Sequence, residues 1–157
     1  MTDSSEVVGF PVSHPLRVRW AEVDAQQVVF NGHYLMYADV CCTEYFRAAG
    51  VELWTPSALT AAEHHPDALD AYVVRATLDY RAPARFDDLL LLRGRIARLG
   101  NSSFTFECCI ERGPTLLCRV ELIYVNAHAG ASVSLPSSFR VAVRALQGDP
   151  ESSPSET

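Results

Sequence analysis

The sequence predicts an α+β fold in which one long helix packs on, and is partly wrapped by, an antiparallel sheet. Three observations lead there. A single long helical pattern occupies residues 33 to 49, several later runs alternate apolar and polar with period two, and Gly- and Pro-containing turns separate consecutive runs. The chain has 157 residues, 48% of them apolar, enough for one domain with a core and too few for two ordinary ones.

Leu16-Arg17-Val18-Arg19-Trp20 is the first patterned segment, alternating as a half-buried strand does. An irregular stretch from Glu22 to Phe30 follows. Asn31-Gly32 then offers a helix start, since Asn is a favoured N-cap, and Gly50 supplies the stop. Between them the polar residues Asp39, Thr43, Glu44 and Arg47 fall within a sector of about 140°, leaving some 220° of Tyr, Leu, Met, Ala, Cys and Phe. A helix that apolar must be covered on more than one side. The cover is expected from runs in which Val74, Ala76, Leu78 and Tyr80, then Phe104, Phe106, Cys108 and Ile110, then Cys118, Val120, Leu122 and Tyr124 alternate with mostly polar neighbours. Leu89 to Leu99 is a less regular fourth run. Gly100-Asn101 and Gly113-Pro114 are the expected hairpin turns. Residues 57–72 and 137–147 read as short helical or irregular pieces. Residues 1–6 and 148–157 are polar and read as disordered tails, so the domain spans 7–147.

The formal charge of −6 argues against nucleic acid or an anionic membrane surface as the primary partner, although five of the acids (Asp3, Glu6, Asp149, Glu151 and Glu156) lie in those ends and leave the body nearly neutral. All 13 cations are arginines, whose fork suits phosphate or carboxylate, although coding bias alone can produce such a set. No apolar run reaches the roughly 18 to 20 residues of a membrane span and the acidic start does not resemble a signal peptide, so a cytoplasmic protein is expected. Five cysteines without CxxC spacing read as buried free thiols. His64-His65 has no chelating partner pattern, and no metal site is expected.

The most suggestive chemistry lies between the first strand and the helix. Asp24 precedes Gln26, Gln27 and the apolar Val28-Val29-Phe30, which would desolvate its carboxylate and raise its basicity. The adjoining helix start offers free N–H groups to a developing oxyanion. Spacing alone favours the simpler reading, an Asp that caps or turns the chain.

Residues 19–50, RWAEVDAQQVVFNGHYLMYADVCCTEYFRAAG, resemble the signature of the hotdog-fold acyl-CoA thioesterases of the 4-hydroxybenzoyl-CoA thioesterase and YbgC type. Arg19, Trp20, Glu22, Asp24, Val28, Val29, Phe30 and Tyr34 fall on its pattern positions. LDYRAPARFDDLLLLRGRI at 78–96 and RLGNSSFTFEC at 98–108 are similar to two further blocks. The resemblance implies a hotdog fold, a long central helix wrapped by an antiparallel sheet. It also implies hydrolysis of an acyl-CoA to a carboxylic acid and CoA, without a cofactor.

On that resemblance Asp24 is the catalytic carboxylate, attacking the thioester or activating water. Asn31 stands where relatives often carry Tyr or His and can donate a hydrogen bond or cap the helix, but it cannot exchange a proton near neutral pH. His33 is a further candidate base, set against a structural role in the first helical turn. Val29, Phe30 and Tyr34 would border the substrate, and Arg81, Arg85 and Arg98 would meet CoA phosphates unless they are ordinary surface cations. Gln27 replaces a family glycine, so any positive φ there must be carried by a side-chain-bearing residue. A homodimer or homotetramer with sites at the interface is implied. The rival readings are a thioesterase acting on acyl groups held by an acyl-carrier protein and a non-catalytic acyl-CoA-binding hotdog.

Overall fold

The computed structural model describes residues 9–51 and 67–150. His64-His65, residues 57–66 and both chain ends beyond 9 and 150 lie outside them. Six strands, β1 (Val12–Arg17), β2 (Ala71–Tyr80), β3 (Leu89–Leu99), β4 (Ser103–Arg112), β5 (Thr115–His128) and β6 (Ala131–Ser132), accompany helices α1 (His33–Ala49) and α2 (Ser137–Gln147). The sheet order is β1-β3-β4-β5-β2, antiparallel throughout, with β6 on β5. This is the α+β helix-and-sheet architecture that periodicity predicts.

Helix α1 lies across one face of the sheet and buries Tyr34, Tyr37, Ala38, Cys41, Cys42, Tyr45 and Phe46. Against them pack Leu90, Leu92 and Ile96 of β3, Phe104 and Phe106 of β4, and Val120 and Leu122 of β5. α2 closes one end by inserting Phe139 beside Phe46 and Phe104, with ring centroids 5.9 and 5.1 Å away. Gly94 lets the helix approach: a Cβ there would stand 2.6 Å from the Phe106 ring and 2.7 Å from Cys41 Sγ. Gly50 ends α1 in the left-handed conformation (φ 73°), and the Val51 N–H returns to the Phe46 carbonyl at 2.9 Å. The five cysteines are buried free thiols.

Four local expectations are corrected. β1 runs from Val12 to Arg17 instead of 16 to 20, and Trp20 sits in a single 3-10 turn, 74% exposed, because the chain must bend to reach the hairpin below. Gly32, not Asn31, is the N-cap of α1, and no side chain caps it. Ala71 and Tyr72 belong to β2. β2 alternates in sequence yet is open on both faces, since it is a sheet edge that α1 does not cover. Of the two alternatives left for residues 137–147, the helical one holds: they form α2, with Phe139 and Val143 buried.

Candidate active site

After β1 the chain makes the turn Trp20–Glu22 and then a miniature hairpin that leads into α1. Its closing pair is the Phe30 N–H on the Glu22 carbonyl (2.9 Å), followed by a Val23–Val29 bridge and the Asp24 N–H on the Val28 carbonyl (2.9 Å). Asp24 therefore sits at the hairpin tip, half-buried, where its Oδ1 accepts the Gln26 N–H at 2.8 Å. That Asx turn orients the carboxylate through one of its oxygens. Gln27 completes the tip at φ 63°, so the position that the resemblance gives to glycine does take a left-handed backbone.

The hairpin is sewn to the segment after β2. Val29 N–H bonds the Ala84 carbonyl (2.9 Å), and the Ala84 N–H bonds the buried Tyr34 hydroxyl (2.9 Å). Tyr80 donates its hydroxyl to the Asn31 carbonyl at 2.9 Å and meets the Tyr34 ring edge-on at 5.3 Å. Burial pushes both tyrosine hydroxyls above their usual pKa, which keeps them neutral donors and acceptors. Between these groups opens a pocket of about 280 Å³ bordered by Val29, Asn31, Tyr34, Tyr80, Arg81 and Pro83. The first turn of α1 begins at its rim. The His33 N–H is taken by the Phe30 carbonyl (2.9 Å), and no side chain caps the helix, so the Tyr34 and Leu35 N–H groups that follow, which have no intrahelical acceptor, are the ones that can hold an oxyanion.

The sequence candidates are only partly united. Val29, Asn31, Tyr34 and Arg81 border the pocket, with Asp24 joined to it through Val28. Phe30 is 49% exposed and stands outside the lining, edge-on to His33 at 6.1 Å. His33 is half-buried and does not border the pocket, and its Nδ1 is enclosed without a hydrogen-bond partner. Arg85 is exposed, its N–H held by Asp88 at 2.8 Å. Arg98 lies near the far end of β3, roughly 30 Å along the strand from the site end. Two residues carry more than sequence reasoning gave them. Tyr80, which alternation marks only as a strand residue, restrains Asn31, and Glu22, a pattern position without an assigned role, is 4% exposed and anchors the hairpin base. A charge due for burial just before the hairpin is the signal that could have singled out Glu22. Among the described residues no cluster of three metal-ligating side chains occurs.

Comparison with known proteins agrees with this fold. The thioesterase superfamily pattern matches residues 26–119. An acyl-CoA thioesterase YbgC of Haemophilus influenzae is 26% identical over 138 residues, covering 86% of this chain and 96% of the relative. An acyl-CoA thioester hydrolase YbgC of Escherichia coli is 31% identical over 113 residues, 71% of this chain and 78% of the relative. A Thermus thermophilus thioesterase solved with coenzyme A and Zn superposes with a TM-score of 0.75 at 26% identity, covering 92% of this chain and 99% of that one. With its helix-on-sheet architecture and a family match that runs across α1, β2, β3, β4 and the start of β5, the chain belongs to the thioesterase superfamily.

Proposed function

We propose that the chain hydrolyses an acyl-CoA thioester to a carboxylic acid and free CoA, with Asp24 as the reacting carboxylate. One observation supports this reading: a single short hairpin carries Asp24 on one strand and leads on the other into the start of α1, with Val28 and Val29 of the hairpin and Asn31 and Tyr34 beyond it bordering an apolar pocket. A carboxylate beside preorganised N–H donors is what acyl transfer needs. The thioester carbonyl would place its oxygen at those amides. Asp24 then either attacks the carbonyl carbon, expelling the CoA thiolate and forming an anhydride that water opens, or takes a proton from the water that attacks. Both routes consume one water and give the same products. Arg81 on the rim and Arg85 nearby suit the CoA phosphates.

The working unit is a homodimer built through β2, which two such dimers can extend to a tetramer. β2 is a sheet edge with Tyr72, Val73, Val74 and Tyr80 exposed, a combination that monomers avoid. Antiparallel pairing with a second copy, centred on the strand, would set Ala71 opposite Tyr80 and Val73 opposite Leu78 of that copy. Val73, Leu78 and Tyr80 face the α1 side, being opposite Tyr124, Val120 and Cys118, so the two helix-bearing faces become continuous. The five reduced thiols suit the cytoplasm.

Thiol release from a panel of acyl-CoAs, with acyl groups on a carrier protein alongside, tests the assignment. Asp24→Asn is expected to lose about 10²- to 10⁴-fold in kcat. Wild-type rates in Asp24→Asn would remove Asp24 from the mechanism, and turnover of carrier-bound substrate alone would replace CoA as the donor. Hydrolysis in ¹⁸O-water bears on the route, since ¹⁸O in the Asp24 carboxylate arises only by direct attack, when water opens the anhydride at the aspartyl carbon.

A further inference from the structure

We propose that Glu22 is the positioning residue of this site, setting the spacing between Asp24 and the N-terminal amides of α1; this rests on the hydrolytic reading above. A carboxylate at 4% exposure must be fully partnered or it destabilises the fold. Glu22 is: Oε1 accepts the Arg19 N–H (2.8 Å) and the Tyr37 hydroxyl (3.0 Å), and Oε2 accepts Arg19 Nε (3.2 Å) and Nη2 (2.9 Å). Its main chain is equally committed, with the N–H on the Arg19 carbonyl (3.0 Å) and the carbonyl receiving Phe30 N–H (2.9 Å).

One residue thus joins three bodies. Arg19 belongs to the exit from β1, Tyr37 lies on the second turn of α1, and Phe30 closes the hairpin that carries Asp24. Asp24 is two residues beyond Glu22, and Asn31 directly follows Phe30. Any tilt of α1 relative to the hairpin changes the distance from the carboxylate to the oxyanion donors, and the Glu22–Tyr37 bond is the side-chain strut across that angle. Stability alone does not explain an ion at this place. A buried ion pair is commonly matched or bettered by apolar side chains of equal volume, and the Arg19 side chain is 77% exposed, which screens the pair. What a carboxylate supplies and an apolar residue cannot is direction, with both oxygens aimed at once.

The test compares Glu22→Ala, Glu22→Gln and Tyr37→Phe for kcat and KM on a turned-over acyl-CoA, below the unfolding transition of each variant. Amide exchange at Asp24, Phe30 and Phe106 is followed in parallel. Displacement of reacting groups by about 1 Å costs on the order of 10²-fold, so Glu22→Ala should lose about that in kcat with KM changed less than about twofold. Glu22→Gln retains an Oε1 acceptor and should recover about tenfold of the loss, and Tyr37→Phe, which removes only the strut to α1, should lose about tenfold. Exchange protection should fall at Asp24 and Phe30 in Glu22→Ala and persist at Phe106. Wild-type kcat in all three variants with only a lowered Tm would overturn the proposal, as would a KM effect with kcat unchanged. If the wild type turns over no acyl-CoA, the hydrolytic reading fails by itself. The exchange pattern then decides alone, uniform loss or none at all counting against Glu22.

Discussion

Gln27 holds a left-handed backbone at the tip of the hairpin that carries Asp24 (φ 63°), a conformation that costs a side-chain-bearing residue about 1 to 2 kcal/mol. Glycine would relieve this but would give back about 0.5 to 1 kcal/mol through the freer unfolded chain. Relief is the larger effect, so Gln27→Gly should stabilise the fold by up to about 1 kcal/mol and raise Tm by about 2 to 4 °C, read by thermal unfolding. Asp39 shows the opposite kind of strain. Partial burial of its carboxyl pushes its pKa above the usual carboxylate range, against the pull of the Tyr124 hydroxyl at 3.3 Å. A carboxyl with a raised folded-state pKa favours the fold while protonated, and that contribution is lost as pH rises through the folded pKa. Asp39→Asn should therefore match the wild type in acid and become the more stable of the two on going to neutral pH. Equal Tm at every pH would contradict this. At the residue scale Asp24 and Tyr34 were legible because a motif places them, whereas the struts Tyr80–Asn31 and Glu22–Tyr37 join positions 49 and 15 residues apart. No local pattern encodes such a pairing.

Helix α1 was legible from end to end, because its 3.6-residue periodicity and Gly50 are local signals. Its surroundings were not. Met36 (56%) and Val40 (36%) are apolar yet exposed, and with Asp39 and Thr43 they border a groove of about 390 Å³ on the open side of the helix. Periodicity tells which face is apolar, and only packing tells how much of that face finds cover. The covered part depends on Gly94, where β3 meets Cys41 and Phe106. Gly94→Ala would drive a methyl group into both neighbours and should cost about 1 to 3 kcal/mol, visible as a lowered midpoint in urea unfolding with unchanged slope. The strands repeat the lesson. β3 was read at its observed limits, whereas β1 was read about three residues late, since Arg17-Val18-Arg19 continues an alternation after the pairing with β3 has ended at Arg17.

For the whole molecule the β2 strand, a sheet edge among the described residues, is the consequential feature. A charge on its exposed surface should block pairing with a second copy. Val73→Lys is accordingly expected to sediment as a monomer where the wild type sediments as a dimer or tetramer, and an unchanged mass would place the contact elsewhere. By itself, the sequence determined the helix, the strand periodicities, the hairpin turns and the carboxylate that the motif singles out, since each is written in neighbours along the chain. Tertiary structure alone decided which strand lies at the edge, that Gly32 and not Asn31 caps the helix, and that Arg98 is remote from the pocket within the protomer. It also decided that a buried Glu22 ties Asp24 to α1. Those outcomes depend on contacts between segments distant in sequence, whose geometry exists only once the helix has docked on the sheet.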